Sequence, residues 1–229
     1  ELIKKGIEVV LKKSSFENFL INYSQLCKYF LARPMIGLKM AMSLDGNITN
    51  NDIKNQWITS KFSRLHVHQI RSIFDAVMVG TNTMLLDNPS LNIRINGHRH
   101  SNYRIVFDKD LKINIKDNLF KTIKKNPLII FTNKIINKYK YNKLLSLGAI
   151  IYEIGLDMNN NLSLDSFIKN IKKSKVKSIL LEGGSKIASS FLNKNLIDII
   201  YFYRSSKFTG KGSLNVLDKI KNIDDFELY

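Results

Sequence analysis

Short apolar, β-rich runs alternate with helix-like segments along nearly all of this 229-residue chain, and that alternation constrains the fold more than any other feature. Strands are expected at 36–43, 75–80, 103–107, 127–132, 149–153, 178–182 and 197–204, with an earlier one at 7–11. Helices are expected at 61–73, where Ser60 suits the N-cap, briefly before Pro89, and at 138–146, 164–174 and 185–194; 15–31 reads as a helix or a turn-rich connector. Strands and helices in this order argue for an α/β domain, a three-layer arrangement with a central, mostly parallel mixed sheet flanked by helices. No repeat or linker interrupts the pattern, only a Lys/Asn-rich loop at 109–126.

Composition narrows the function classes. No apolar run approaches the roughly 20 residues of a membrane span, and Cys27, the single cysteine, excludes an internal disulfide or a multi-cysteine zinc site. These features fit a cytoplasmic protein. The net charge of +17 admits a nucleic-acid-binding module. However, the lysines are spread along the chain among many Ile and Asn, which reads as a compositional bias acting on solubility and anion steering. Arginine is scarce. Arg71 and Arg94 are therefore either planar forks for a phosphate or carboxylate, or members of structural ion pairs.

Two clusters carry chemistry. The first, 38–94, sets Leu-Lys-Met-Ala-Met-Ser-Leu-Asp-Gly upstream of Gln-Trp-Ile-Thr-Ser, Gly-Thr-Asn-Thr, Asp-Asn-Pro-Ser-Leu and Arg94. The second, Ile179-Leu-Leu-Glu-Gly-Gly-Ser-Lys-Ile-Ala, runs a strand into paired glycines and a helix. Bare N–H groups at such a helix start bind phosphate or pyrophosphate, unless the glycines serve only the turn. Glu182, at the strand end, either accepts hydrogen bonds from a ligand or is a solvated charge. Lys39 is either an electrostatic or proton-relaying group or a snorkelling strand-end lysine.

Together these clusters resemble the reductase domain of the bifunctional riboflavin-biosynthesis deaminase/reductase, over about 6–212. The match comprises Leu38 to Gly46, Gln56 to Ser60, Arg71, Val79-Gly80-Thr81, and the run Thr83, Asp87, Pro89, Leu91, Arg94. The resemblance implies a dihydrofolate-reductase-like fold and an NADPH-dependent oxidoreductase. Its cofactor would contact Ala41, Trp57, Thr83, Asp87 and Lys109, with its phosphates on Gly184, Ser185, Lys186, Ile187, Ala188, Ser189 and Ser190. Asn55, Arg71, Leu91, Arg94 and Glu182 would surround 5-amino-6-(5-phosphoribosylamino)uracil, the arginines holding its phosphate, and Lys39 would be the catalytic candidate. Asn55 stands where the family commonly has serine, Lys109 where it has a small polar residue, and Ser206 where it has proline.

The implied reaction moves a hydride to C1′ of the ring-opened ribose and needs no metal. The zinc-binding His-x-Glu and Pro-Cys-x-x-Cys of a deaminase are absent from the sequence. Residues 1–33 are expected to be a connector from a deaminase domain and 34–229 the reductase domain. A homodimer or higher homo-oligomer is expected, with no nucleic-acid or membrane partner. The rival readings are a dihydrofolate-reductase-like enzyme with another substrate and a basic nucleic-acid-binding module.

Overall fold

A computed structural model describes residues 3–10, 16–48, 58–95, 101–133, 137–210, 215 and 217, with the backbone only at 16–21. After a 3-10 turn at Ile3–Lys5 come α1 (Phe16–Phe30), β1 (Met35–Met42), α2 (Lys61–Ile73), β2 (Ala76–Gly80), α3 (Thr81–Asp87), β3 (Tyr103–Phe107) and β4 (Leu128–Thr132). There follow α4 (Lys138–Ser146), β5 (Ile150–Glu153), α5 (Leu164–Ile171), β6 (Ser178–Leu181), α6 (Ser185–Leu192) and β7 (Ile199–Arg204). Ser60 caps α2 as expected, its side chain accepting from the Ser63 N–H.

The strands form one sheet in the order β5-β4-β3-β2-β6-β1-β7, and every described pairing between them is parallel. Runs such as Leu128–Thr132 and Ser178–Leu181 are buried throughout, because a parallel sheet is covered on both faces. On one face Phe107, Phe131, Ile179 and Leu181 pack with Phe167 of α5 and Phe191 of α6. On the other, Val77, Val106 and Ile130 pack with Met84 of α3 and Leu144 of α4, while Met35 and Leu180 meet Cys27 of α1 and Ile70 of α2. Gly37 admits this last layer: a Cβ there would lie 2.6 Å from the Phe74 ring.

One expectation changes and one narrows. The strand at 7–11 does not form in its described part, since 7–10 are irregular and exposed. Two adjacent valines favour extended backbone, but without a neighbouring strand that preference has no ladder to complete. The antiparallel member of a mixed sheet is likewise absent among the described strands. Elsewhere the expected elements form, with ends displaced by a few residues. No helix among the described residues is long and apolar enough to cross a membrane.

The sheet order sets the location of the site. From β2 the chain proceeds outward through β3, β4 and β5, whereas β1 lies on the other side of β2 with β6 inserted between them. Ligands of open parallel sheets bind beyond the carboxyl ends of the strands at such a reversal. Here that edge brings together Met42, Gly80, Glu182 and Arg204.

Candidate functional site

Glu182 is at the centre of this edge. Its N–H donates to the Met78 carbonyl at 2.8 Å, which carries the β2–β6 pairing one residue past the strand. Its carboxylate accepts from Arg71 Nε at 2.6 Å and Nη2 at 3.0 Å, a two-point fork. Lys39 Nζ, from β1, lies 3.8 Å from the same carboxylate, whose side chain is only 9% exposed. Burial alone would raise the Glu182 carboxyl, but Arg71 and then Lys39 outweigh it and hold the group below its ordinary range. Burial in turn opposes the Arg71 charge, and Glu182 more than restores it.

The last turn of α2 extends the cluster toward the loop after α3. Arg71 Nη1 donates to the Asn92 carbonyl at 3.1 Å. His68, one turn earlier on α2, receives the Arg94 main-chain N–H at Nδ1 (3.2 Å), and its Nε2 lies 3.3 Å from Arg94 Nε. Burial first, then Arg71 and Arg94, push the His68 imidazole down to about 4, so it is neutral near pH 7.

The loop carrying Leu91 and Arg94 is held from below. Leu91 is buried and has φ +53. Its carbonyl accepts from Asn102 Nδ2 at 2.9 Å. Arg104, fully buried in β3, donates to the Ser90 carbonyl and Thr122 Oγ1, each at 3.2 Å, and to the Asn126 carbonyl. Burial pushes this guanidinium down to about 10. Among the described residues no ion pair reaches Arg104, so it acts as a pin for main-chain carbonyls.

Two helix starts face the same edge. Gly80 caps α3 and Gly184 caps α6, neither with a side-chain cap hydrogen bond. A Cβ on Gly184 would lie 3.9 Å from Thr83 Oγ1, so the two starts are neighbours. The first amides of α6, at Ser185, Lys186 and Ile187, precede the helical hydrogen bond that Ala188 N–H makes to the Gly184 carbonyl. This donor set suits an anion such as pyrophosphate. At Gly183 a Cβ would sit 2.1 Å from Ile187 Cγ2, so the turn's close approach requires glycine. Ala188 and Ser189 are buried, and Ser190 Oγ bonds the Lys186 carbonyl.

The structure thus brings Lys39, Arg71 and Glu182 into contact, with Leu91 and Arg94 on the loop bonded to α2. Ala41 is one strand step beyond Lys39, paired in register with Tyr203. The Asp87 residue is exposed overall, yet its carboxyl is raised by partial burial, with Lys39 opposing. Lys109 donates to the Asn160 carbonyl at 2.7 Å and forms no hydrogen bond or ion pair with this cluster among the described residues. Asn55 and Trp57 lie outside the described residues. Asp45, from the first motif, accepts from the Thr209 and Gly210 amides at 3.1 and 2.9 Å, tying the loop after β1 to the segment after β7.

Reading the sequence missed His68, Asn102, Arg104 and Tyr203. His68 was detectable as the residue three before Arg71 on one helix face, and Arg104 as the lone charge in an apolar strand. Tyr203 had no such signal. Its hydroxyl meets His66 Nδ1 at 3.0 Å, and burial, with Glu182 and Tyr201, pushes it up to about 12.

Comparison with known proteins shows the family and the fold. Curated proteins named riboflavin biosynthesis protein RibD from Aquifex aeolicus and Actinobacillus pleuropneumoniae are 29% and 30% identical, over 93% and 92% of this chain but 57% and 55% of their own lengths. The chain therefore spans little more than half of these relatives. A Thermotoga maritima structure, a diaminohydroxyphosphoribosylaminopyrimidine deaminase/5-amino-6-(5-phosphoribosylamino)uracil reductase, is 30% identical with TM-score 0.70, over 85% of this chain and 50% of that one. Acinetobacter baumannii RibD shares the fold, with TM-score 0.78 at 23% identity over 99% of this chain and 60% of its own. The family model described as RibD C-terminal domain matches residues 34–222, a span that contains the Arg71–Glu182 fork and both glycine-capped helix starts; the chain belongs to that family.

Proposed function

We propose that this chain is an NADPH-dependent oxidoreductase of riboflavin biosynthesis, reducing C1′ of the ribose in 5-amino-6-(5-phosphoribosylamino)uracil to give the ribitylamino product. The observation that carries this reading is the meeting of two halves at one sheet edge. Bare, glycine-capped helix starts lie on one side, and the Lys39–Glu182–Arg71 cluster bonded toward Arg94 lies on the other.

NADPH, when bound, supplies the hydride. The amides of Gly184, Ser185, Lys186 and Ile187 would receive its phosphates, with Thr83, Ala41 and Asp87 beside them; the family resemblance adds Trp57 and Lys109. On the substrate side, Arg94 would grip the 5-phosphate and Leu91 would line the sugar, with Asn55 added by resemblance. Arg71 already donates three of its N–H groups, to Glu182 and Asn92, and keeps two for the phosphate. Glu182, held ionised, would accept hydrogen bonds from the pyrimidine's amino and N–H groups. As the ring-opened imine becomes an amine its nitrogen gains a proton, and Lys39 is the group we assign to deliver that proton or stabilise the charge. The rest of the site positions donor and acceptor.

The lengths of the relatives support a further element. We propose that residues 34–229 work as the reductase half of a protein that also carries a deaminase, with 1–33 as the junction, and that it self-associates in the cytoplasm.

The test is direct. The purified chain, given NADPH and the phosphoribosylamino substrate, should consume both and yield a product heavier by two hydrogens, while dihydrofolate supports no NADPH oxidation. A folded protein that consumes neither, or that prefers dihydrofolate, overturns the assignment. Lys39→Met with an unchanged turnover number removes Lys39 from the mechanism.

A further inference from the structure

We propose that His68 is a direct ligand of the substrate's phosphate, completing with Arg94 a donor pair on which one phosphate oxygen sits. This rests on the reading of Arg94 as the phosphate-gripping residue and goes beyond it in adding an imidazole to the site.

The argument begins with a mismatch of donors. Both ring nitrogens of His68 face N–H groups of Arg94: Nδ1 the main-chain amide at 3.2 Å, Nε2 the side-chain Nε at 3.3 Å. A neutral imidazole has one N–H and one lone pair, so it accepts from only one of them. The main-chain amide belongs to a loop whose carbonyls are pinned by Asn102, Arg104 and Arg71, whereas the Arg94 residue is exposed and its guanidinium can move. Nδ1 therefore keeps the amide, and Nε2 carries the hydrogen. That leaves Nε2–H and Arg94 Nε–H side by side, two donors with no acceptor between them among the described residues. An oxygen of a phosphate accepts from both and resolves the conflict.

The surrounding charge agrees. Arg71 has given its fork to Glu182 and has only two N–H groups left for a phosphate, so a further donor has a place in the clamp. The charged groups that act on His68 are Arg71 on its own helix, Arg94 on the loop and Glu182 at the end of β6. Two of the three are cationic, and the single anion is already paired.

Two substitutions separate a ligand from a prop. His68→Asn keeps a polar atom near the Nδ1 position, where it can accept the Arg94 amide, but places no donor at the Nε2 position. His68→Gln does the reverse. Phosphorus-detected NMR titration of ribose 5-phosphate, with ribose as the proton-detected control, reads the effect on the full chain.

His68→Gln should bind ribose 5-phosphate within about threefold of the parent chain, while His68→Asn and His68→Ala should weaken it about tenfold, the worth of one hydrogen bond to a charged group. Ribose binding should not change. If His68→Asn binds like the parent while His68→Gln is weak, or if His68→Ala has no effect, His68 only supports the loop or does nothing, and the inference is overturned. Arg94→Ala reports separately. If it leaves ribose 5-phosphate binding intact, or if the parent chain shows no preference for ribose 5-phosphate over ribose, the phosphate reading itself fails. Melting temperatures within a few degrees of the parent show that each variant is folded.

Discussion

Two arginine–carboxylate forks stand at opposite edges of the same sheet, and the contrast between them separates scaffold from site. At the amino edge Arg33 donates through Nη1 and Nη2 to Asp198 at 2.7 and 2.8 Å, and Asp198 also accepts the Ile36 N–H at 2.7 Å. That carboxylate is used up: it joins the start of β1 to the approach to β7 and pairs with no further cation among the described residues. At the carboxyl edge the Arg71–Glu182 fork is likewise two-point, though side-on through Nε and Nη2 and not end-on through Nη1 and Nη2. Here, though, the carboxylate is shared with Lys39, and the arginine reaches on to the loop of Arg94. The geometry of a buried ion pair therefore says little about its role. What distinguishes a site is an excess of donors and charges beyond those the pair itself satisfies.

That contrast is open to test, and the largest effect should come from neutralising each carboxylate in turn. Glu182→Gln should lower kcat/KM for the phosphoribosylamino substrate at least about a hundredfold, as loss of a charge-positioning group commonly does. Asp198→Asn should instead cost about 3 kcal/mol of stability by leaving Arg33 poorly paired, with kcat/KM within about twofold well below its melting temperature. Chemical denaturation and steady-state kinetics on both variants check this, and a matching activity loss in Asp198→Asn breaks the distinction.

Next in size is the pin under the loop of Leu91 and Arg94. Arg104→Met fills the volume but leaves the Ser90 and Asn126 carbonyls without their buried donor, at a cost of about 2 kcal/mol. KM for the phosphorylated substrate should rise about tenfold with kcat little changed, because the loop and not the chemistry loosens. A fall in kcat alone would place Arg104 elsewhere in the mechanism.

A smaller effect is expected at the turn before α6. Gly183→Ala drives a Cβ to within 2.1 Å of Ile187 Cγ2, which calls for a shift costing about 1–3 kcal/mol. NADPH affinity, read by fluorescence titration, should drop with it. Adding Ile187→Ala should restore part of the loss, and no restoration would mean that the turn is strained for another reason.

The smallest effect concerns pH. His68 lies near 4 in the folded protein against an ordinary 6.5, so the unfolded chain takes up its proton first. The stabilising contribution of the neutral ring is complete above pH 6.5 and is lost as pH falls toward 4. His68→Gln should flatten the fall in stability over that window, measured by urea unfolding at a series of pH values. An unaltered slope would show that His68 is not the group responsible.

How much of this was legible follows from the range of each interaction. The strands were readable as apolar, β-rich runs, continuous in β1 to β4 and β6 because they are largely buried in a parallel sheet, and α2 because Ser60 caps it locally. The pair of valines at 9 and 10 misled, since strand propensity is realised only where a neighbour completes the ladder. Within the site, Arg71, Arg94 and Glu182 stood out by scarcity or by position at a strand end. Their partners did not: Arg71 and Glu182 are 111 residues apart, and no local pattern pairs them. Asp45, within the first motif, ties the loop after β1 to Gly210, 165 residues on, and no local pattern pairs them either.

By itself, then, the sequence determined the order and type of the elements and the glycine turns that leave helix amides bare. These depend on residues within one or two turns of each other. Tertiary structure alone decided that Arg71 braces Glu182, that Arg94 lies against His68, and that His68 is neutral there. Those outcomes depend on burial and on charges brought together across the sheet, and Coulomb and desolvation effects act through space and not along the chain.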